Sequence, residues 1–194
     1  MVFVLSMKYG FDNVSIKHIQ EESGFTAGSI YYYFKDKDEI LQYMVNKYLI
    51  ASFHKMKEKV LDSNGSLMEK IEIIFNFGDS PIITEVESQD ILDKFPINYR
   101  EFWVMYTSIY HHHPEIRPDF CKLCDESHDF YYGLVQEAIN KKEIRDDIDI
   151  EELIMFIKTI LKGYLVLIVF QSNLPSEYLL KANMKLLYEA IKRR

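Results

Sequence analysis

Residues 15–40 read SIKHIQEESGFTAGSIYYYFKDKDEI, and their spacing predicts two short helices joined by a glycine turn and followed by a third. Ser15 precedes Ile16 and Ile19, so it is placed to cap the first helix while the isoleucines form its buried stripe. Gly24 ends that helix, because a residue just past the last turn often needs a left-handed backbone, which glycine adopts without steric cost. Phe25 is expected to plug the space between the helices, and Thr26 to cap the second, which runs from about residue 27 to 34. That helix opens on Ala27, Gly28 and Ser29, whose small side chains permit close approach to base edges and whose free amides suit a phosphate. Ile30 and Phe34, four residues apart, are expected to pack inward. Tyr31, Tyr32 and Tyr33 cannot all share that face, so at least two must point outward, where a phenol can donate to a phosphate. Lys35 and Lys37 follow, with Asp36 placed to cap the long third helix. This is a helix-turn-helix pattern, the shape that lays one helix in a DNA major groove.

Gly10, Phe11, Ser15, Ile19, Gly24, Thr26, Gly28, Ile30, Tyr31, Phe34 and Lys37 stand in an order that resembles the DNA-binding domain of the tetracycline-repressor (TetR) family. That family's signature runs from a Ser/Thr cap through a Gly-turn into G-x-[LI]-Y-x-x-F-x-x-K, and the resemblance covers roughly the first quarter of the chain. It implies a ligand-responsive transcriptional regulator of a bacterium or archaeon, a repressor that binds palindromic double-stranded operator DNA as a homodimer. A small-molecule effector entering the C-terminal domain would release it. On that reading Ala27, Gly28, Ser29 and Tyr32 contact bases, while Ser15, Lys17, Thr26, Tyr31, Lys35 and Lys37 hold phosphates. The chain also departs from the family. Only residues 1–9 precede Gly10, where a longer helix and a basic arm are usual, so the chain is read as truncated or as having a misassigned start. Ser6 stands where a buried aromatic is usual, and Gln20 and Ser23 replace small apolar residues, which bears on local packing more than on DNA contacts.

At 194 residues and 48% hydrophobic content, the chain can bury a sizeable core in one or two domains, which excludes a disordered or fibrous protein. No signal peptide is visible, and the longest apolar run, residues 163–170, is far short of the ~20 residues that span a bilayer. No membrane role and a cytoplasmic location follow as expectations. Cys121 and Cys124 are the only cysteines, too few for a disulfide scaffold. The net charge of −7 argues against bulk attraction to nucleic acid, and even residues 1–47 hold five lysines against six acids. Placement matters more than the balance. Lys17, Lys35 and Lys37 fall at helix starts and loops that face a duplex in this motif, so binding is expected to be modest and salt-sensitive.

The remainder reads as helix throughout, without strand alternation or internal repeat. Ile40, Leu41, Met44, Tyr48 and Leu49 mark one long helix over 38–61. Ser63, Asn64, Gly65 and Ser66 break it, and Ser66 with Glu69 forms a capping box for a helix ending at Phe77. A break at 78–81 and a short helix before Phe95 come next, and Asn98 is expected to cap a helix carrying Phe102, Trp103, Tyr106 and Tyr110. Phe120, Cys124, Tyr131, Leu134 and Ala138 form the stripe of a helix over 118–141. The last two helices, 150–172 and 176–192, are expected to form the dimer interface, since Lys162 is the only charge between Ile160 and Phe170. The expected architecture is therefore all-α, with a three-helix DNA-binding domain at 1–47 and a larger effector-binding and dimerisation domain at 48–194.

Phe75, Phe102, Trp103, Tyr106, Tyr110, Phe130, Tyr131, Phe156 and Tyr164 favour an apolar or aromatic effector, with phenols orienting it, although any one of them can be an ordinary core residue. Cys121, Cys124 and His128 lie at i, i+3 and i+7, and His111, His112 and His113 are close in sequence. Such groups can ligate zinc, yet a structural zinc site normally shows two paired knuckles, and helical cysteines are commonly buried small hydrophobes. No metal or cofactor is assigned. No Gly-rich phosphate loop, nucleophile elbow or HExxH motif is present, and the single Asp125-x-x-His128 lacks the second motif a di-iron bundle requires, so no catalytic residue is assigned. The alternative is a helical small-molecule or metal/redox-sensing protein without DNA binding.

Overall fold

In the computed structural model of the chain, which describes residues 1–77, 99–171, 173 and 175–193, every regular element is helical. The order is α1 (Val2–Tyr9), a 3-10 turn (Phe11–Asn13), α2 (Ile16–Ser23), α3 (Ala27–Tyr33), α4 (Lys37–Met44), a π-helical turn (Val45–Ile50) and α5 (Ala51–Leu61). After these come α6 (Leu67–Phe77), α7 (Tyr99–His112), a 3-10 turn (Pro114–Ile116), α8 (Arg117–Asn140), α9 (Ile150–Phe170) and α10 (Ser176–Ile191). The all-α expectation holds among the described residues. The long helix after Asp36 is continuous from Lys37 to Leu61, but it is wound with a π turn that hydrophobic spacing does not announce. The expected break at 78–81 and the helix before Phe95 lie outside the described residues.

The chain divides into two compact units. One comprises Met1–His54 with the described part of Pro81–Phe120. Its core is built on α1, where Phe3, Val4 and Leu5 are buried together with Phe11, Ile40, Leu41, Met44 and Val45. Phe3 stacks on Tyr48 with ring centroids 3.9 Å apart and meets Phe102 edge-on at 6.1 Å. From α7 come Met105, Tyr106 and Ile109, so the same apolar core seats a helix remote in sequence. Each such side chain contributes about 1.5–3 kcal/mol on burial. Ser6, buried in place of the usual aromatic, satisfies its hydroxyl by donating to the Val2 carbonyl at 2.8 Å.

The other unit comprises the described parts of Lys55–Ser80 and Cys121–Arg194. Ser66 and Glu69 form the expected reciprocal cap of α6, with the Ser66 amide 2.7 Å from Glu69 Oε2 and the Glu69 amide 3.4 Å from Ser66 Oγ. Ile71 and Phe75 of α6, Phe130, Tyr131, Leu134 and Val135 of α8, Ile154, Ile157 and Tyr164 of α9, and Leu187 of α10 are buried. Lys70 is buried as well, and its ammonium reaches Glu137 at 3.1 Å. Cys124, expected in the apolar stripe of α8, is exposed, as is Cys121, whereas the fully buried side chains of that helix begin at Phe130.

Just past α8, Lys142 adopts φ 60°, while the Glu143 amide returns to the Ala138 carbonyl at 2.9 Å. This is the left-handed helix exit that glycine makes at least cost. Lys142→Gly is expected to raise stability by about 0.5–1 kcal/mol, read as a higher midpoint in thermal unfolding. A fall would show that the lysine stem supplies packing worth more than the backbone strain it carries.

Candidate nucleic-acid interface

The caps of the first three helices after α1 form as their sequence positions require. Ser15 Oγ accepts from the His18 amide at 3.1 Å, and His18 Nδ1 answers by accepting from the Ser15 amide at 3.5 Å. Histidine thus stands where a capping box usually has glutamate. Gly24 closes α2 at φ 72° in the left-handed region. Thr26 Oγ1 accepts from the Ser29 amide at 3.1 Å and shares a 2.9 Å bond with the Ser29 hydroxyl. Asp36 Oδ1 accepts from the Glu39 amide at 2.9 Å, and α4 starts at Lys37, one residue before the expected 38. Ile19 of α2 and Ile30 of α3 are buried, and Ile16 and Phe34 are partly buried against the same core.

Phe25 does not plug the helix junction. It is 64% exposed, whereas Ile19 of α2 and Ile30 of α3 are buried in the same core without it. All three tyrosines of α3 point outward, Tyr32 most of all at 81% exposure, and Tyr32 and Tyr33 meet edge-to-face at 5.1 Å. Ser15, Lys17, Thr26, Gly28, Ser29, Tyr31 and Lys35 are exposed beside them, while Ala27 is half-buried. Lys17 is tied only loosely, to Glu21 at 3.6 Å. Lys37 differs from the other candidates. Its ammonium donates to the Asp12 carbonyl at 3.0 Å and lies 4.6 Å over the Phe11 ring. Lost solvation lowers its pKa, against the opposing pull of Asp12 and Asp38.

A cluster of histidines and carboxylates joins the turn before α2 to the end of α7. Asp12 takes His112 Nδ1 on Oδ2 at 2.9 Å and His113 Nε2 on Oδ1 at 2.8 Å, and His113 Nδ1 lies 3.0 Å from Glu115 Oε1. The histidine run by itself suggests metal chemistry, but its carboxylate partner lies a hundred positions away, where no local spacing points to it.

The aromatic candidates fall into separate groups. In the first unit Phe102, Tyr106 and Tyr110 join Phe120, with Phe102 and Tyr106 edge-to-face at 4.5 Å and Tyr110 and Phe120 at 5.4 Å. Trp103 stands edge-on to Phe102 at 6.1 Å. Tyr106 is fully buried with no hydrogen-bond partner for its hydroxyl among the described residues, and burial raises its pKa well above the ordinary phenol value. In the second unit Phe75 and Tyr164 are buried with centroids 5.4 Å apart, Phe130 and Tyr131 lie 5.8 Å apart, and Phe156 is exposed. His128 pairs with Glu151 at 3.3 Å, and among the described residues no group of three or more His, Cys, Asp or Glu side chains is arranged to hold a metal ion.

Capped α2 and α3 around a glycine turn, with a polar and tyrosine-rich outer face, are arranged as a helix-turn-helix, the shape that can lay one helix in a DNA major groove. Residues 4–44 match the family model of bacterial regulatory proteins of the tetR family. The whole fold is shared with solved structures of low sequence identity. A transcriptional regulator from Saccharomonospora viridis in complex with choline is 16% identical, with a TM-score of 0.77 over 100% of this chain and 94% of that one. A TetR-family regulator from Cytophaga hutchinsonii is 14% identical, with a TM-score of 0.76 over 100% and 92%. FadR from Bacillus subtilis in complex with stearoyl-CoA is 16% identical, with a TM-score of 0.69 over 96% and 95%. No curated protein matches the sequence. Among the described residues no helix is long and apolar enough to cross a membrane.

Proposed function

We propose that the chain is a homodimeric repressor of the cytoplasm that reads a palindromic operator and releases it when a small molecule binds among its C-terminal helices. The observation that carries this reading is the outer face of α3. Gly28, Ser29, Tyr31 and Tyr32 stand exposed on a helix whose inner side is fixed by Ile30 and whose start is fixed by Thr26. Ala27, Gly28, Ser29 and Tyr32 reach base edges, and Ser15, Lys17, Thr26, Tyr31, Lys35 and Lys37 hold the phosphates on either side. Dimerisation is supported by Met155, Phe156, Val166 and Phe170 of α9 and Leu186 of α10, large apolar side chains left exposed on the last two helices. An apolar or aromatic effector suits the ring sets of either unit, Phe102, Trp103, Tyr106 and Tyr110 in one and Phe75, Phe130, Tyr131 and Tyr164 in the other, while Phe156 stands exposed with the dimer-face residues. Proteins of the same fold hold ligands as unlike as choline and stearoyl-CoA, so this preference comes from the side chains and not from the fold. Effector binding would tilt the helix beginning at Lys37 and misplace the two recognition helices on half-sites about 34 Å apart.

The test is binding of the purified chain to duplex DNA flanking its own gene, followed by fluorescence anisotropy over a salt series. Specific binding that weakens steeply with salt is expected. Lys35→Ala combined with Tyr31→Phe is expected to weaken binding to all duplexes alike, by about tenfold, with little change in preference. Lys37 is left out of that pair because its ammonium also braces Asp12. A change of preference at constant overall affinity would overturn these roles. Absence of specific binding by a folded dimer would favour a ligand-binding protein without DNA function.

A further inference from the structure

We propose that Asp12, His112 and His113 form a proton-operated latch between the turn in front of the helix-turn-helix and the end of α7, closed while His113 carries protons on both ring nitrogens. The geometry of His113 carries the argument. Its Nε2 lies 2.8 Å from one carboxylate, Asp12, and its Nδ1 lies 3.0 Å from another, Glu115. A neutral imidazole has a single N–H and would aim a lone pair at the second carboxylate, whereas an imidazolium donates to both. The ring is held in place by the edge-on Phe11 ring at 5.4 Å, with only 15% of its side chain exposed. Its position just past the last residue of α7, where a helix end carries partial negative charge, also favours a cation.

The remaining charges around the latch agree with this assignment. His112 occupies the other oxygen of Asp12, and His111 lies against His112 with ring centroids 5.2 Å apart. Lys37, from α4, donates to the Asp12 backbone carbonyl, with Asp38 as its own acidic neighbour. Arg117, which faces Glu115, has its guanidinium engaged by the carbonyls of Tyr110 and His111, each at 3.0 Å. Asp12 and Glu115 are therefore the two anions that His113 meets, and the turn at Asp12 is gripped by α4 on one side and α7 on the other.

Proton linkage sets the sign. The closed latch holds a proton that the open one does not need, so closure weakens as pH rises. For Asp12, partial burial pushes the carboxyl up, but hydrogen bonds and charge from His112 and His113 outweigh it and hold the carboxyl below its ordinary value. Its contribution is therefore present at neutral pH and lost in acid, below about pH 4. Because Asp12 lies three residues before the Ser15 cap of α2, opening frees the entry to the DNA-binding helices. This consequence, unlike the latch itself, rests on the operator-binding reading.

The experiment is a double-mutant cycle in the full chain. Thermal midpoints are measured for the wild type, Asp12→Asn, His113→Gln and the double variant at about pH 6 and about pH 8.5. Near pH 6 each single change is expected to lower the midpoint by roughly 2–4 °C, with the double variant no worse than the weaker single one. Near pH 8.5 the losses shrink and become additive. Equal coupling at both pH values would overturn the proton-operated latch in favour of an ordinary hydrogen bond, and no coupling at either would overturn the contact. Should those variants fold poorly, Glu115→Gln offers His113 Nδ1 a donor and makes a neutral ring acceptable, so the wild-type fall in midpoint between the two pH values should shrink. An unchanged fall would overturn the proposal. Operator affinity measured at the same two pH values tests the consequence separately. If coupling is seen while affinity stays constant, the latch stands and its link to DNA does not.

Discussion

Phe3→Ala is expected to lower the stability of the N-terminal unit by roughly 3–5 kcal/mol and to abolish DNA binding with it. Phe3 is 0% exposed, lies parallel to Tyr48 at 3.9 Å and meets Phe102 edge-on, so truncation would empty the place where α1, the π turn and α7 converge. Backbone and neighbours on three elements cannot all collapse into the vacated volume, which puts the loss toward the upper end of the range for aromatic truncation. Single domains are stable by only about 5–15 kcal/mol, so the variant would retain little margin at 37 °C. Urea denaturation followed by near-ultraviolet circular dichroism reads this as a lower midpoint at unchanged slope. Phe3→Leu, which retains most of the apolar volume, should lose far less. A loss below about 1 kcal/mol for Phe3→Ala would mean that α1 is an appendage and not part of the core that positions α2 and α3.

The parts of this protein that were legible from residue order are those decided within one turn of helix. Ser15, Thr26, Asp36 and the Ser66/Glu69 pair cap where they must, because a hydroxyl or carboxylate three residues before an unpaired amide has only one geometry in which to reach it. Gly24 likewise announces its own left-handed backbone. What was not legible depends on partners far away in sequence. Phe25 looks like a plug to any local reading, yet whether a hydrophobe is needed there is settled by how closely Ile19 and Ile30 approach. Cys124 keeps a helical register with Tyr131 and Leu134, but register does not say how far along α8 the covering helices extend. Nothing near Lys37 in sequence says that its ammonium also donates to the Asp12 carbonyl and lies over the Phe11 ring. The three histidines have no visible purpose until the fold brings Asp12 to them. For the aromatic candidates, composition tells that rings are plentiful but not that they separate into the Phe102–Tyr106–Phe120 group and the Phe75–Tyr164 pair.

Gly28→Glu is expected to reduce binding to every DNA duplex by about a hundredfold or more while leaving the fold intact, which separates recognition from stability at one position. A Cβ built on Gly28 meets only Thr26 Oγ1, at 3.9 Å, an ordinary contact, so the backbone admits a side chain here. An acid in the first turn of α3 also complements the helix dipole, and thermal unfolding should therefore be unchanged or slightly higher. The added carboxylate would project from the exposed side of the turn that holds Ala27 and Ser29, which on the proposed docking faces base edges and flanking phosphates. Bringing like charges together at an interface costs several kcal/mol, and screening by salt relieves little of it once water has been displaced. Gly28→Ala provides the control, since it adds bulk without charge and should weaken specific binding by about tenfold while sparing the non-specific, phosphate-driven component. If Gly28→Glu bound the operator as the wild type does, α3 would not be the helix that enters the groove, and the outward tyrosines would need another partner. That result would leave the Asp12–His113 latch untouched, because the cycle that tests it requires no DNA.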